Sequence, residues 1–444
     1  MNNKDVNIKN LLNDPVNFYS PISNPVFPIE EWDYLNTSDK AELHNQWKNF
    51  SEAEREQYKN NIKFFLQEKD IKPTDAQNNY RLIWSECEKR LQPNSAPQIL
   101  EISDFNKEKA VYELLDVVEN TDKIKQIYRK KKLNLSSSSN AGISAESANE
   151  LRSCFIQGRQ LFDAGKNSPM MVKPLIYFYS FAAYVYGMVV MNNPLRYKLG
   201  MMHGSHGADY EKFNVKFGGG PTIGGTFSDL FLSFPVINHL AQGVEILQDN
   251  RSSIKQFWNY KFNPTIGTLL SMVPELREYY NLVSKKNSRS HQLLIKRSNS
   301  PRSIEWDFLI GDGKVQPTIN ELQKAFPNEI IGNHSGKSAI TIPDEQVSNI
   351  RAMIFSDIHG DFWFIENPLE HIVLPEICVH YLIMFAFSNI MRYKPDTWNE
   401  ILTNETDSEI SFLIRKYISI FEYKYPVLLT RSLTEYFTIF SKNP

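Results

Sequence analysis

The chain has 444 residues, 41% hydrophobic and 23% charged, with forty-nine Lys and Arg against fifty-one Asp and Glu for a formal charge of -2. That length exceeds what one hydrophobic core serves, so more than one lobe is expected, and the composition excludes wholesale disorder. The balanced charge leaves no global basic field to hold a nucleic acid or an anionic membrane, and Cys87, Cys154 and Cys378 form neither a disulfide framework nor a C-x-x-C zinc pair.

Residues 1–15 are polar and mixed in charge, which points away from a secretory signal and toward the cytoplasm. Pro21, Pro25, Pro28 and Trp32 predict an extended arm. A helical pattern over 38–68 follows, with a capping box at Ser51 and Glu54. Between 107 and 131, Val111, Leu114, Leu115, Val118, Ile124 and Tyr128 recur at helical spacing, and the run Arg129–Lys132 suits a helix C-terminus. Ser136–Ser139 with Asn140 and Gly142 replace all periodicity with small polar residues. This gives a helical lobe over 1–135, a linker over 136–146 and a larger domain over 147–444.

In the larger domain Ser147 and Glu150 predict a capping box for a helix ending near Gly165, and Ser168-Pro169 starts an apolar helix to Met191. That helix and the stretch 372–391 raise the question of a membrane. Tyr177, Tyr179, Tyr184 and Tyr186 in the first, and Glu376 and His380 in the second, favour buried core helices instead. From Asn192 to Gly225 the texture turns to glycine and histidine, a long loop with a short strand at 213–217, and loops of this length are commonly functional. Helical pattern resumes at Phe227–Phe234 and Leu269–Val283. Short β-like runs at 292–296, 304–309, 338–342 and 351–355, with one helix near 318–326, make a β-rich insert over 288–366. Helices follow at 375–391 and 396–402, then one containing Ile410 to Phe421, and a final one from Val427 to Phe440. The fold class is mainly α: a helical N-terminal lobe plus a larger helical lobe with a small β-rich insert.

Three motifs carry chemistry on paper. Asp357-Ile358-His359-Gly360 has the D-x-H-G shape with which calcineurin-like metallophosphoesterases begin, but Gly311-Asp312 and Gly332-Asn333-His334 precede it where that family needs them to follow. A turn between two strands is the expected reading, and no metal site is assigned. Gly336-Lys337-Ser338 ends like a phosphate loop yet runs into a strand, where a helix N-terminus is needed. Arg196 and His203 resemble the Arg-x(4–6)-His motif of HEPN ribonucleases, in which such a pair positions a phosphate and moves protons without metal. They are the candidate catalytic residues, although Pro194, Gly200 and Gly204 interrupt the helix that motif needs. His206, Arg392, Tyr393 and Lys394 are the candidate binding residues. Arg392 offers a planar fork for an anion; its plainer role is a cation at a helix C-terminus stopped by Pro395, with Trp398 packing the corner.

Pro174–Tyr179, His203-Gly204, Gly224–Phe227 with Leu230, Val273–Leu276, and Met391–Pro395 with Trp398 resemble, in that order, the YaaC-like bacterial proteins, from about residue 145 to the C-terminus. The resemblance implies a bacterial cytoplasmic protein and brings no catalytic residue and no cofactor. The expected function is a binding or scaffold protein with a polar pocket where the glycine-histidine loop and the Arg392 corner meet. Its partner would be a nucleotide, an RNA or a protein, with no membrane and with a homodimer left open. The alternative is a HEPN-like metal-independent ribonuclease acting in stress response or phage defence.

Overall fold

The computed structural model describes residues 98–102, 142–192, 225–233, 236–239, 244–247, 260–299, 304–311, 353–369 and 372–403, most of 113–135, 208–219, 331–343 and 408–440, and positions 317 and 322. The chain divides into two compact units, Met1–Gln98 and Ile99–Pro444, and apart from Gln98 the described residues belong to the second. The extended arm, the helices of 38–68, the serine-rich linker and most of the helix near 318–326 lie outside them.

The mainly α character holds. The first long helices are α1 (Thr121–Leu135), α2 (Ala145–Lys166) and α3 (Lys173–Asn192). Two local readings change. The helical pattern of 107–131 is interrupted at Glu119-Asn120, where Asn120 Oδ1 accepts the N–H groups of Asp122 and Lys123 at 3.0 and 3.1 Å and so restarts the helix. That helix then runs through the Arg129–Lys132 cations to Leu135 and does not end at them. The N-cap of α2 is Ser144, not Ser147: the Ser144 backbone is extended at ψ 156°, and its Oγ accepts Ser147 N–H at 3.1 Å.

Helix α3 is apolar nearly all round and is correspondingly central. It packs against α2, against α7 (Glu376–Tyr393) and against α9 (Ser408–Leu433). Among the described residues it is the one helix long and apolar enough to cross a membrane, and most of it is buried within the protein. Phe181 meets Tyr425 in a tilted pair at 4.7 Å between ring centroids, and Phe421 lies nearly parallel to Tyr425 at 4.8 Å; such pairs add about 0.5–1.5 kcal/mol each beyond their buried area. The α2–α3 contact is close because two glycines face aromatic rings reciprocally. A Cβ at Gly158 would fall 2.3 Å from Tyr184 Cδ2, and one at Gly187 would fall 2.4 Å from Phe155 Cε1. Helix α8 (Pro395–Thr403) turns the corner after α7, where Trp398 is fully buried and donates to Met171 O at 3.0 Å.

The C-terminus departs from the sequence reading. Instead of two helices, α9 runs unbroken from Ser408 to Leu433 with Pro426 inside it. An interior proline costs about 3 kcal/mol through its missing N–H and ring clash; here Tyr425, Val427, Leu428 and Leu429 around it are all buried, and their burial offsets that cost. The last expected helix is partly a strand: β13 (Tyr436–Phe440) pairs with β1 (Gln98–Ile102). Tyr436-Phe437-Thr438-Ile439-Phe440 is aromatic and β-branched throughout, which favours a strand.

The expected β-rich insert is a six-stranded antiparallel sheet. Its strands are β7 (Ser290–Asn299), β8 (Ile304–Ile310), β9 (Gly332–His334), β10 (Lys337–Pro343), β11 (Ile354–Ser356) and β12 (Phe362–Ile365), in the order β11-β12-β7-β8-β10-β9. Period-two alternation puts Leu293, Phe308, Ile310, Ile340 and Phe364 into one buried cluster while Leu294 faces out. Before this sheet the chain forms a small three-stranded one from β2 (Asp209–Glu211), β3 (Asn214–Gly218) and β6 (Lys261–Phe262), so the strand expected at 213–217 is present. The pair β4 (Val236–His239) and β5 (Val244–Leu247) was not expected. Helix α4 (Thr226–Ser233) lies on α3 and α7. The pattern of 269–283 resolves into α5 (Ile266–Leu270), a 3-10 turn (Pro274–Leu276) and α6 (Arg277–Ser284), because Pro274 stops a continuous helix.

Candidate functional site

Where the small sheet and the six-stranded sheet approach one another, the structure leaves a cleft of about 430 Å³, within the range of small-molecule sites. One wall comes from β6 and the start of α5: Tyr260, Lys261, Asn263, Thr265 and Thr268. The other comes from Arg289, just before β7, and from Pro368 and Leu369, just after β12. Phe262 and Pro264 complete the lining.

Each wall is fixed by backbone bonds. Pro264 O accepts Val215 N–H and Phe213 O accepts Ile266 N–H, both at 2.9 Å, and Thr265 Oγ1 accepts Thr268 N–H at 3.0 Å. Arg289 donates its N–H to Ser271 O at 2.9 Å and accepts Glu366 N–H at 2.8 Å. Asn367 holds the third segment by donating Nδ2 to Leu369 O at 2.6 Å and to Ile372 O at 2.8 Å. A lining held this way is organised before any ligand arrives.

The electrostatics of the cleft are cationic. Lys261 and Arg289 line it, and among the described residues no carboxylate does. An acidic partner lies beside Arg289: Glu366 Oε2 is 3.8 Å from its guanidinium, and Glu366 Oε1 is 2.9 Å from Nε2 of His291, whose side chain is 1% exposed. Glu366 therefore divides its charge between a buried imidazole and Arg289, whose side chain remains 34% exposed toward the cleft. Part of the glycine-rich loop reaches this place. Gly218 pairs with Lys261, and a Cβ at Gly219, whose φ is +77°, would lie 3.1 Å from Lys261 Cβ. A side chain at Gly219 would be strained and would press on the lysine.

The candidate residues named from sequence are not gathered there. Arg196, His203 and His206 lie outside the described residues. Arg392, half-buried at the end of α7, donates Nε to Ser388 O at 3.3 Å and Nη2 to Asn389 Oδ1 at 3.4 Å, with its guanidinium 5.0 Å from the Tyr393 ring. Tyr393 and Lys394 are exposed beside it, and none of the three is among the cleft's lining residues. The sequence reading missed Lys261 and Arg289. The available signal was punctuation: Pro264 and Pro368 fix the two segments that form the walls.

The D-x-H-G segment is the turn between β11 and β12, as expected. Asp357 is saturated: Oδ1 accepts N–H from His359 and Asp361 at 2.9 and 3.0 Å, and Oδ2 accepts Trp363 Nε1 at 3.1 Å. His359 Nδ1 lies 3.1 Å from Phe440 O. Among the described residues no group of three or more His, Cys, Asp or Glu is placed to hold a metal ion. Gly336-Lys337-Ser338 likewise leads into strand β10, which pairs with β9 and β8.

That turn is instead gripped by a buried ion cluster. Lys424 of α9 is 0% exposed, and its ammonium is 2.9 Å from Glu275 Oε1 and 2.7 Å from Glu376 Oε1, and also donates to Ser356 O. Arg431, two turns further along α9, donates to Ser356 Oγ at 2.7 Å and to Asp357 O at 3.0 Å. Glu275 Oε1 accepts Ile358 N–H at 3.1 Å, while its Oε2 is buried without a donor among the described residues. Burial pushes the Glu376 carboxyl above its ordinary range; Lys424 opposes this and Glu275 adds to it. Lys424 and Arg431 thus face Glu275, Glu376 and Asp357 in one cluster. Its consequence is positional: it ties the β11–β12 hairpin to the helices, and the chain leaving β12 is the one that carries Glu366, Pro368 and Leu369.

Residues 116–433 match a family model described as YaaC-like Protein. Neither the search of curated proteins nor the search of solved structures gave a match.

Proposed function

We propose, from the premise that this chain belongs to the YaaC-like family, that it is a binding protein whose cleft between the small sheet and the six-stranded sheet takes a small anionic ligand. The observation that carries the reading is the pairing of Lys261 and Arg289 in one concave site with no carboxylate among its described lining residues. A guanidinium and an ammonium converging on one volume of about 430 Å³ suit an oxyanion. RNA would instead call for a basic track extending along the surface, and a protein partner for a flatter and larger contact area.

The test is calorimetric titration of the full chain with inorganic phosphate, beside Arg289→Gln and Lys261→Gln. Loss of one charge-assisted contact should weaken binding about tenfold or more in each variant, with affinity falling as salt rises. Binding that both variants leave unchanged places the anion elsewhere and overturns the reading. So does the absence of binding by the wild-type chain.

A further inference from the structure

The cleft is larger and less polar than an oxyanion alone requires. Half of its described lining residues, Tyr260, Phe262, Pro264, Pro368 and Leu369, are aromatic or apolar, and the other half are the cations and three neutral polar side chains. A bare phosphate would neutralise Lys261 and Arg289 and leave the apolar half wet. An uncharged apolar ligand would fill the second half and make no use of the two cations. Only a molecule with both parts satisfies the lining, since pocket affinity comes from apolar burial and specificity from a few placed polar groups.

We infer that the occupant is a nucleoside monophosphate, its base resting on the Tyr260–Pro368 lining and its phosphate between Lys261 and Arg289; this rests on the anion-binding reading above. Charge selects the number of phosphates. A monophosphate carries about -1.5 to -2 near neutral pH; Lys261 and Arg289 offset most of that charge, and Glu366 beside Arg289 weakens the positive field so that the extra charge of a di- or triphosphate is disfavoured. Tyr260, 45% exposed, supplies a ring face, on which any base can stack for about 1–3 kcal/mol. Asn263 adds an amide with donor and acceptor side by side, the pattern that reads a base edge.

The experiment compares the full chain's affinity for a panel of the four common nucleoside monophosphates, for inorganic phosphate, for the corresponding triphosphates and for the uncharged nucleosides. The expected result is at least one monophosphate bound tenfold or more tighter than phosphate and than its own triphosphate, with the nucleoside weaker still. Tyr260→Ala should remove most of the monophosphate's advantage over phosphate while leaving phosphate binding unchanged, and Tyr260→Phe should restore it. Far-UV circular dichroism and a thermal melt of both variants check that the fold is retained. Phosphate equal to every monophosphate, or Tyr260→Ala acting equally on both, overturns the inference and leaves the anion site standing. A triphosphate bound tighter than the monophosphate also overturns it. No binding of phosphate or any nucleotide removes the anion-binding reading itself.

Discussion

The ammonium of Lys424 lies 2.7 Å from Glu376 Oε1 at a place where the lysine has no exposed surface, and the same ammonium is 2.9 Å from Glu275. Buried ion pairs gain little over well-packed apolar residues, but removing one member strands the other. Lys424→Met should therefore destabilise by about 3–5 kcal/mol, because two buried carboxylates lose their shared cation. Lys424→Met combined with Glu376→Gln should recover part of that loss. Chemical denaturation midpoints read both effects, and a single variant within about 1 kcal/mol of wild type would contradict the assignment of this cluster as the clamp on the β11–β12 hairpin.

The cluster also sets a pH dependence. His380 is buried on α7 with Nδ1 2.9 Å from Tyr417 Oη, and burial first, then the charge of Lys424, lowers its pKa well below the ordinary value of 6.5. A depressed imidazole binds fewer protons folded than unfolded, so its contribution is present above about 6.5 and is lost as pH falls from there toward the folded value. Glu376 is raised above 4.5, so its contribution is full below 4.5 and is lost as pH rises through its folded value. The two oppose one another over the interval between. His380→Gln should flatten the loss of stability on acidification below 6.5, and Glu376→Gln should steepen it. Unfolding midpoints measured across that interval test both signs; parallel profiles for all three proteins would refute them.

At the α2–α3 contact, Gly158→Ala should destabilise although alanine is the better helix former by about 1 kcal/mol. The added methyl would meet the Tyr184 ring at 2.3 Å, and overpacking of this kind costs about 1–3 kcal/mol. Gly158→Ala made together with Tyr184→Leu should be closer to additive-neutral than the sum of the two single changes. Thermal melts of the four proteins form the cycle. A stabilised Gly158→Ala variant would mean that the ring moves aside freely.

Much of this architecture is legible in the sequence because it is periodic. The buried helices α3 and α7 follow from apolar residues on all sides, and the β-rich insert from short alternating runs such as Ser338–Ile342 within β10. What was not legible depends on partners distant in sequence. Pro426 reads locally as a break, and only the buried surroundings of α9 keep the helix continuous. Tyr436–Phe440 becomes a strand because β1, more than three hundred residues earlier, pairs with it. The cleft is the extreme case. Arg289 belongs to no motif, and its meaning comes from Ser271, Glu366 and Lys261 being brought around it. Conversely, Asp357-Ile358-His359-Gly360 looks chemical in sequence, but its polar atoms are consumed within the turn and by Trp363 and Phe440.

The most direct measurement is residue-resolved protection of the full chain against an arginine-selective dicarbonyl reagent, read by mass spectrometry with and without a saturating nucleoside monophosphate or inorganic phosphate. Arg289, partly exposed in the cleft, is predicted to be modified in the free protein and protected by the ligand, while Arg392 at the α7 corner is modified alike in both states. Protection at Arg392 with none at Arg289 would contradict the account and move the anion site to the helix corner.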